Sequence, residues 1–131
     1  MAKGRCQCGS IHYEVEGEPF YSAICHCSDC RRSAGAPMVG WALFAEANLK
    51  VVGEPRLYRS SEDATRHFCG NCGTGLFYRN LKSFPGMVDI QTSTLDDPSL
   101  VPPVIHVQWA EALPWMGAAH ELPHVGRYPE D

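Results

Sequence analysis

Long basic runs are missing from this chain. Arg31-Arg32 is its longest, and the 131 residues carry a formal net charge of −4. That balance lacks the electrostatic footprint of a nucleic-acid binder, so no nucleic-acid partner is expected. Long apolar runs are missing too. The longest largely apolar stretch, residues 36–45, is too short to span a bilayer, and no membrane association is expected. The opening Met-Ala-Lys-Gly-Arg-Cys has no apolar region behind its positive charges, unlike a secretory leader. A cytoplasmic protein is the expectation, in a compartment where disulfides are disfavoured. An even cysteine count is also missing: there are seven, which suits a disulfide framework badly. No window keeps a helical period over three turns, and there is no repeat or linker. What remains is an ordinary globular composition, 44% hydrophobic and 20% charged, in a length that suits one domain over residues 1–131.

The patterns that are present belong to strands. Ile11, Tyr13 and Val15 alternate with His12, Glu14 and Glu16, which reads as a half-buried strand ended by Gly17-Glu18-Pro19. An apolar run over residues 20–24 leads into Cys25. Residues 28–34 are small and polar and read as a tight turn or a single helical turn. Residues 38–44 read as a strand in which Gly40 marks a bulge or a close backbone approach. Residues 49–52 and 56–59 flank Gly53-Glu54-Pro55 and read as a hairpin. Residues 65–68 and 76–78 read as strands on either side of Cys69 and Cys72. Val88, Ile90 and Thr92 alternate with polar neighbours after the Pro85-Gly86 turn, and a last strand is expected over residues 104–109. The tail, residues 112–131, reads as irregular. The fold class is all-β, built of many short strands.

The cysteines fall in three groups: Cys6 and Cys8; Cys25, Cys27 and Cys30; Cys69 and Cys72. Cys69-Gly70-Asn71-Cys72-Gly73 has the make-up of a zinc knuckle, in which two intervening residues turn both sulfurs toward one ion. A structural zinc takes four ligands, so the second pair comes from Cys6/Cys8 or from two of Cys25, Cys27 and Cys30. Counting favours a four-plus-three division. Three ligands with an open fourth position are the mark of a catalytic zinc. The alternatives are one structural zinc beside three ordinary thiols, and a redox Cys-x-x-Cys pair, which the absence of a βαβ pattern disfavours. A zinc held by three thiolates is soft and suits binding another thiol.

Arg31, Arg32 and Arg66 can offset the negative charge of such a centre or hold an anionic substrate; otherwise they are solvated surface residues. His26, between two candidate ligands on extended backbone, should point away from them. His67 and His106 read as packed or hydrogen-bonded residues. Asp29 reads either as a turn former or as a proton carrier near the thiols. Trp41, Trp109 and Trp115 read as core or pocket wall.

Cys6-x-Cys8, Cys25-His26-Cys27-x-x-Cys30 and Cys69-x-x-Cys72-Gly73-Thr74, in this order, resemble the glutathione-dependent formaldehyde-activating enzyme family, which includes centromere protein V. Ala112-Leu113-Pro114-Trp115 is similar to that family's C-terminal signature. The resemblance implies a β-tent of antiparallel sheets stapled by zinc. It implies two zinc ions: a structural one on Cys6, Cys8, Cys69 and Cys72, and a catalytic-type one on Cys25, Cys27 and Cys30. It also implies a carbon–sulfur lyase activity joining glutathione to formaldehyde, as in an S-hydroxymethylglutathione synthase. An open, thiophilic metal next to positive charge suggests that glutathione binds near Cys25, Cys27 and Cys30, with Arg31 or Arg32 near one of its carboxylates. The competing expectation is a zinc-stabilised binding module, or a glutathione carrier, without chemistry.

Overall fold

Tyr13 and Val15 are buried, while His12 before them is exposed and Glu14 between them is half-buried, so the first alternating stretch is a strand with one wet face. The computed structural model describes residues 1–129, in which β-structure dominates. In chain order the strands are β1 (Ala2–Arg5), β2 (His12–Val15), β3 (Tyr21–Cys25), β4 (Val39–Ala45), β5 (Leu49–Val52), β6 (Arg56–Arg59), β7 (Ala64–Phe68), β8 (Gly75–Asn80), β9 (Met87–Gln91) and β10 (Ile105–Val107). One α-helix, α1 (Ser28–Ala34), follows β3, and short 3₁₀ turns join the rest. Among the described residues no helix is long and apolar enough to cross a membrane.

The strands form two sheets. One has the order β1-β2-β5; the other has the order β10-β3-β4-β9-β8-β7-β6. Every pairing is antiparallel except that of β10 with β3. Antiparallel register fixes which side chains share a face. Ala42 and Phe44 of β4 lie with Val88 and Ile90 of β9 and Phe77 of β8, and this face packs on Tyr13 and Val15 of the small sheet. The Tyr13 and Phe77 rings meet edge-on, with centroids 5.2 Å apart. The opposite face carries Cys25, Val39 and Trp41, with Tyr78 against them. The large sheet is therefore covered on both sides, which explains why β4 reads as a nearly continuous apolar run.

Several expectations need correction. Residues 49–52 and 56–59 do not form a hairpin: β5 pairs with β2 and β6 with β7. Gly53, at φ 98°, turns the chain from one sheet to the other, because Leu49 and Val51 are drawn to the core beside Tyr13 and Val15. Residues 28–34 form a seven-residue helix rather than a single turn. Its stop is Gly35 in the left-handed region, φ 63°, whose N–H bonds to the Arg31 carbonyl. The last strand is only Ile105–Val107, because Gln108 takes φ 55° and breaks the extended run. Thr92 falls outside its strand, in a 3₁₀ turn. Trp109 and Trp115 are about half exposed and lie outside both cores, whereas Trp41 is buried; Trp115 does line a shallow surface pocket beside Arg31 and Arg32, as the pocket-wall reading allows. At Gly40 the close-approach reading holds, since a Cβ there would overlap the Thr92 hydroxyl. The tail is irregular apart from a 3₁₀ segment, Met116–Glu121; residues 130 and 131 lie outside the described residues.

Phe77→Ala should cost about 3–5 kcal/mol of unfolding free energy, because it empties the contact between the sheets. Leu57→Ala, on the exposed β6, should cost under about 0.5 kcal/mol. Urea unfolding of both variants checks the contrast; equal losses would contradict the assignment of the core.

Candidate metal centres

The first thiol group is built where the two sheets meet. Cys6 and Cys8 follow β1 of the small sheet, and Cys69 and Cys72 sit in the turn between β7 and β8 of the large one. The four sulfurs lie within 4.8 Å of one another. Cys6 Sγ is 3.6 Å from Cys8 Sγ, and Cys8 Sγ is 3.8 Å from Cys69 Sγ. A disulfide is about 2.05 Å long, and all seven cysteines are free. A tetrahedron with zinc–sulfur arms of about 2.3 Å has edges of about 3.8 Å, which the spacing matches.

Backbone amides serve this group. The Ile11 N–H points at Cys6 Sγ (3.3 Å), and the Asn71 and Cys72 N–H groups point at Cys69 Sγ (3.4 Å each). Gly73, at φ 84°, closes the knuckle by donating to the Cys69 carbonyl (2.8 Å). Hydrogen bonds from Thr74 pull the Cys72 thiol down to about 5, and those from Ser10 and Asn71 bring Cys8 down to about 7, whereas burial holds Cys6 up. A set of thiolates and amide donors of this kind fits zinc.

The second group is local. Cys25 ends β3, Cys27 caps α1 by accepting from the Cys30 N–H (3.3 Å), and Cys30 turns inward from the first turn of the helix. Asp29 in that first turn and Arg31 and Arg32 in the last complement the helix dipole. Glu111 adds a carboxylate at the N-terminus, accepting from the Ser28 N–H (3.1 Å). The three sulfurs lie within 4.8 Å of one another. Cys30 is held down to about 5 by a hydrogen bond from Cys25 and by the Arg66 guanidinium, whose nitrogens lie 3.7 and 3.8 Å from its sulfur. Cys25 is pushed up by its bond to Cys30 and by burial, and Cys27 by burial. Two of the three thiols therefore resist ionisation until a cation shares the site.

These thiols line a cavity of about 510 Å³ between α1, β10 and the outer face of the large sheet. Tyr21, Trp41, Tyr78, Phe84, Ile105 and Val107 make its walls. Arg66, lying over the Tyr78 ring, divides it from a second cavity of about 590 Å³ that contains Arg32, Ser60, His67 and Gln91. Asp89 also faces the first cavity. It is 5% exposed, its Oδ2 accepts from the Tyr21 hydroxyl at 3.4 Å, and its Oδ1 has no partner. Burial pushes its carboxyl up to about 7, against the pull of the Tyr21 bond. The same burial, together with the Asp89 charge, pushes the Tyr21 phenol up.

The structure sorts the residues singled out from sequence. It brings Cys6, Cys8, Cys69 and Cys72 into one group and Cys25, Cys27 and Cys30 into another. Arg66 lies beside the thiols. Arg32 lies one cavity away, and Arg31 donates to the His26 carbonyl (3.4 Å) on the outer side of α1. His26 points away from the cavity and bonds through Nε2 to His106 Nδ1 at 2.8 Å, with Trp109 edge-on to it. His67 bonds to Thr65 Oγ1 (3.1 Å). Asp29 is exposed on the rim of both cavities. Sequence reasoning missed Asp89 and Tyr21, because Asp89 alternates with Val88 and Ile90 just as Gln91 does and so reads as a residue of the wet face of its strand.

With this geometry in place, comparison with known proteins is informative. The sequence profile described as glutathione-dependent formaldehyde-activating enzyme matches residues 1–111. A Schizosaccharomyces pombe protein named an uncharacterized lyase is 32% identical over 76 residues, 58% of this chain and 56% of that protein. The aligned stretch thus spans little more than half of that relative's length. A Halomonas elongata protein, provisionally named a glutathione-dependent formaldehyde-activating enzyme, is 26% identical over 126 residues, 88% of this chain and 80% of its own. The crystal structure of a Rhodobacter sphaeroides protein superposes with a TM-score of 0.64 at 26% identity, covering 80% of this chain and 99% of that one.

Two predictions follow from the geometry of the thiols and of Asp89. Cys69→Ser opens a group shared by both sheets. Structural zinc contributes about 10 kcal/mol or more to small domains, comparable with the whole stability of a domain, about 5–15 kcal/mol; this variant should be insoluble or partly unfolded. Cys27→Ser should lose metal only from the second group and keep a cooperative melt. Zinc content and melting temperature check both, and equal unfolding would make the three-thiol group structural.

Asp89 gives a pH signature. Its folded pKa lies above the unfolded value of about 3.9, so its contribution to stability is fully present below that value. It is lost as pH rises through about 7, where the folded state carries a buried charge. Asp89→Asn removes this titration. Measured by urea unfolding at saturating zinc, the variant should gain about 2 kcal/mol on wild type between pH 5 and pH 8; a constant difference would contradict the raised pKa.

Proposed function

The chain belongs to the glutathione-dependent formaldehyde-activating enzyme family, and from that premise we propose that it is a zinc-dependent carbon–sulfur lyase-type enzyme acting on glutathione or a related thiol adduct. The reaction in this reading joins a thiol to formaldehyde reversibly, as in S-hydroxymethylglutathione formation. The observation that carries it is the difference between the two thiol groups. Four sulfurs converge where the two sheets meet, while three converge on the wall of a cavity of about 510 Å³, large enough for part of a peptide-sized thiol. A pure scaffold has no use for the second arrangement.

In this reading Cys6, Cys8, Cys69 and Cys72 hold a structural zinc, Cys25, Cys27 and Cys30 hold a catalytic-type one, and residues 1–131 act as one zinc-binding domain. Zinc at the second group supplies a soft Lewis acid that favours an ionised thiol beside it. The chain's own residues do the rest. Arg66 places positive charge against the thiolates and against an incoming thiolate. Trp41, Tyr78 and Phe84 exclude water, which strengthens that attraction. Arg32, Gln91 and Ser60 in the adjoining cavity can take the carboxylates of the substrate's remote end. Arg31, engaged with the His26 carbonyl, serves the loop instead. Seven unpaired thiols suit a reducing compartment such as the cytoplasm.

Glutathione should bind the zinc-loaded protein saturably in calorimetric titration, and chelation of the zinc should abolish the binding. Arg66→Ala should weaken it about tenfold, the scale of one charged hydrogen bond. No saturable binding at millimolar glutathione would favour the scaffold without chemistry; binding without accelerated adduct exchange would favour a carrier.

A further inference from the structure

Adding a thiol to an aldehyde moves a proton from sulfur to oxygen, and the metal-binding cysteines do not carry it. Of the residues lining the three-thiol cavity, two are carboxylic acids. Asp29 stands exposed on the rim at the start of α1. Asp89 is different. It lies in one row across the sheet, Tyr21 opposite Leu43, Leu43 opposite Asp89 and Asp89 opposite Tyr78, on the face that carries Cys25 and Trp41. Among the described residues its side chain has one hydrogen bond, the long one from Tyr21, and its second oxygen is buried with no partner. A carboxyl held this way costs stability and holds no part of the fold together. Such an unmet group on the wall of a cavity marks a site that a ligand completes.

We infer that Asp89, positioned by Tyr21, is a catalytic residue of the thiol-adduct reaction, taking the proton of the entering thiol and returning it to the oxygen of the aldehyde. The inference rests on the reading of this cavity as a thiol-adduct site. The step balances without a further reactant. The thiol S–H bond breaks and its proton joins the Asp89 carboxylate. A sulfur lone pair forms the S–C bond as the carbonyl π pair moves to oxygen, and the Asp89 proton then completes the hydroxymethyl group. Adduct breakdown runs the same transfers backwards. A carboxyl near pH 7 in affinity for its proton serves both halves, where an ordinary aspartate would accept but hardly donate. The other titratable or charged groups on the cavity wall are Tyr21 and Cys25 from β3, Tyr78 from β8, Arg66 from β7, Asp29 and Cys30 from α1, and Cys27 at the helix cap. The Tyr21 phenol, pushed up by burial and by the Asp89 charge, remains protonated around pH 7.

The test uses zinc-loaded wild type, Asp89→Asn and Tyr21→Phe. Exchange between free glutathione, formaldehyde and their adduct is measured by NMR exchange spectroscopy above the uncatalysed rate. Glutathione binding is measured by calorimetry at pH 7.5 in buffers of different ionisation enthalpy, which counts protons released. Asp89→Asn should bind glutathione within about threefold of wild type, yet lose roughly 10²-fold or more of the catalysed exchange and its limb near pH 7. It should release about one proton per glutathione to buffer, where wild type releases close to none because Asp89 takes it up. Tyr21→Phe should keep most of the exchange with the limb displaced to higher pH, since the Tyr21 bond favours the carboxylate. Wild-type exchange, pH profile and proton release in Asp89→Asn would overturn the assignment of Asp89 and leave the thiol-adduct reading standing. A wild type that neither binds glutathione nor accelerates exchange would overturn that reading itself.

Discussion

Sulfurs 3.6–3.8 Å apart, in a group where the Cys8 and Cys72 thiols are inclined to ionise, repel one another unless a cation sits among them. In this protein that constraint falls at the junction of the two sheets. Cys6 and Cys69 are fully buried at the edge of the apolar core, so the electrostatics of the thiol group and the packing of Tyr13 on Phe77 belong to one cooperative unit. The same chemistry that costs stability without metal contributes to it with metal, because binding free energy to a site absent from the unfolded chain is folding free energy.

The large sheet then separates two tasks. Its inner face, with Phe44, Phe77 and Ile90, is closed by the small sheet and by the four-thiol group. Its outer face, with Cys25, Trp41 and Tyr78, is covered only in part by α1, and the cavity, which reaches the β10 edge of the sheet, is what α1 leaves uncovered. His26 links the two on the far side of the ligand loop. Its N–H bonds to the Val107 carbonyl and its ring to His106, which fixes the Cys25–Cys27 backbone to the parallel strand. A rigid ligand loop beside a half-covered cavity is the arrangement expected of a site that must keep one position open.

Much of this was legible in the sequence, for reasons that differ by residue. Tyr13, Val15, Val88 and Ile90 announce their strands because one face of each is driven from water, and that leaves a period of two. The cysteine groups are legible because ligand number is a chemical count. Pairing is not local, so Gly53-Glu54-Pro55 signalled a turn but not that the strands on either side join different sheets. β1 was unreadable, since Ala2-Lys3-Gly4-Arg5 has no apolar alternation; Gly4 is there because a Cβ would overlap the Tyr13 ring. The indoles of Trp109 and Trp115 suggested burial that a chain end with little core beside it does not provide. Asp89 acquires its meaning only from Tyr21, 68 residues away, and from a cavity that exists only once α1 is folded over the sheet.

Zinc-edge X-ray absorption, which counts sulfur neighbours per metal, tests the division into a closed and an open centre most directly. One four-sulfur and one three-sulfur centre average about 3.5 sulfurs per zinc, and saturating glutathione should raise the average to about 4. A value of 4 before glutathione is added, or one that glutathione does not change, would contradict it.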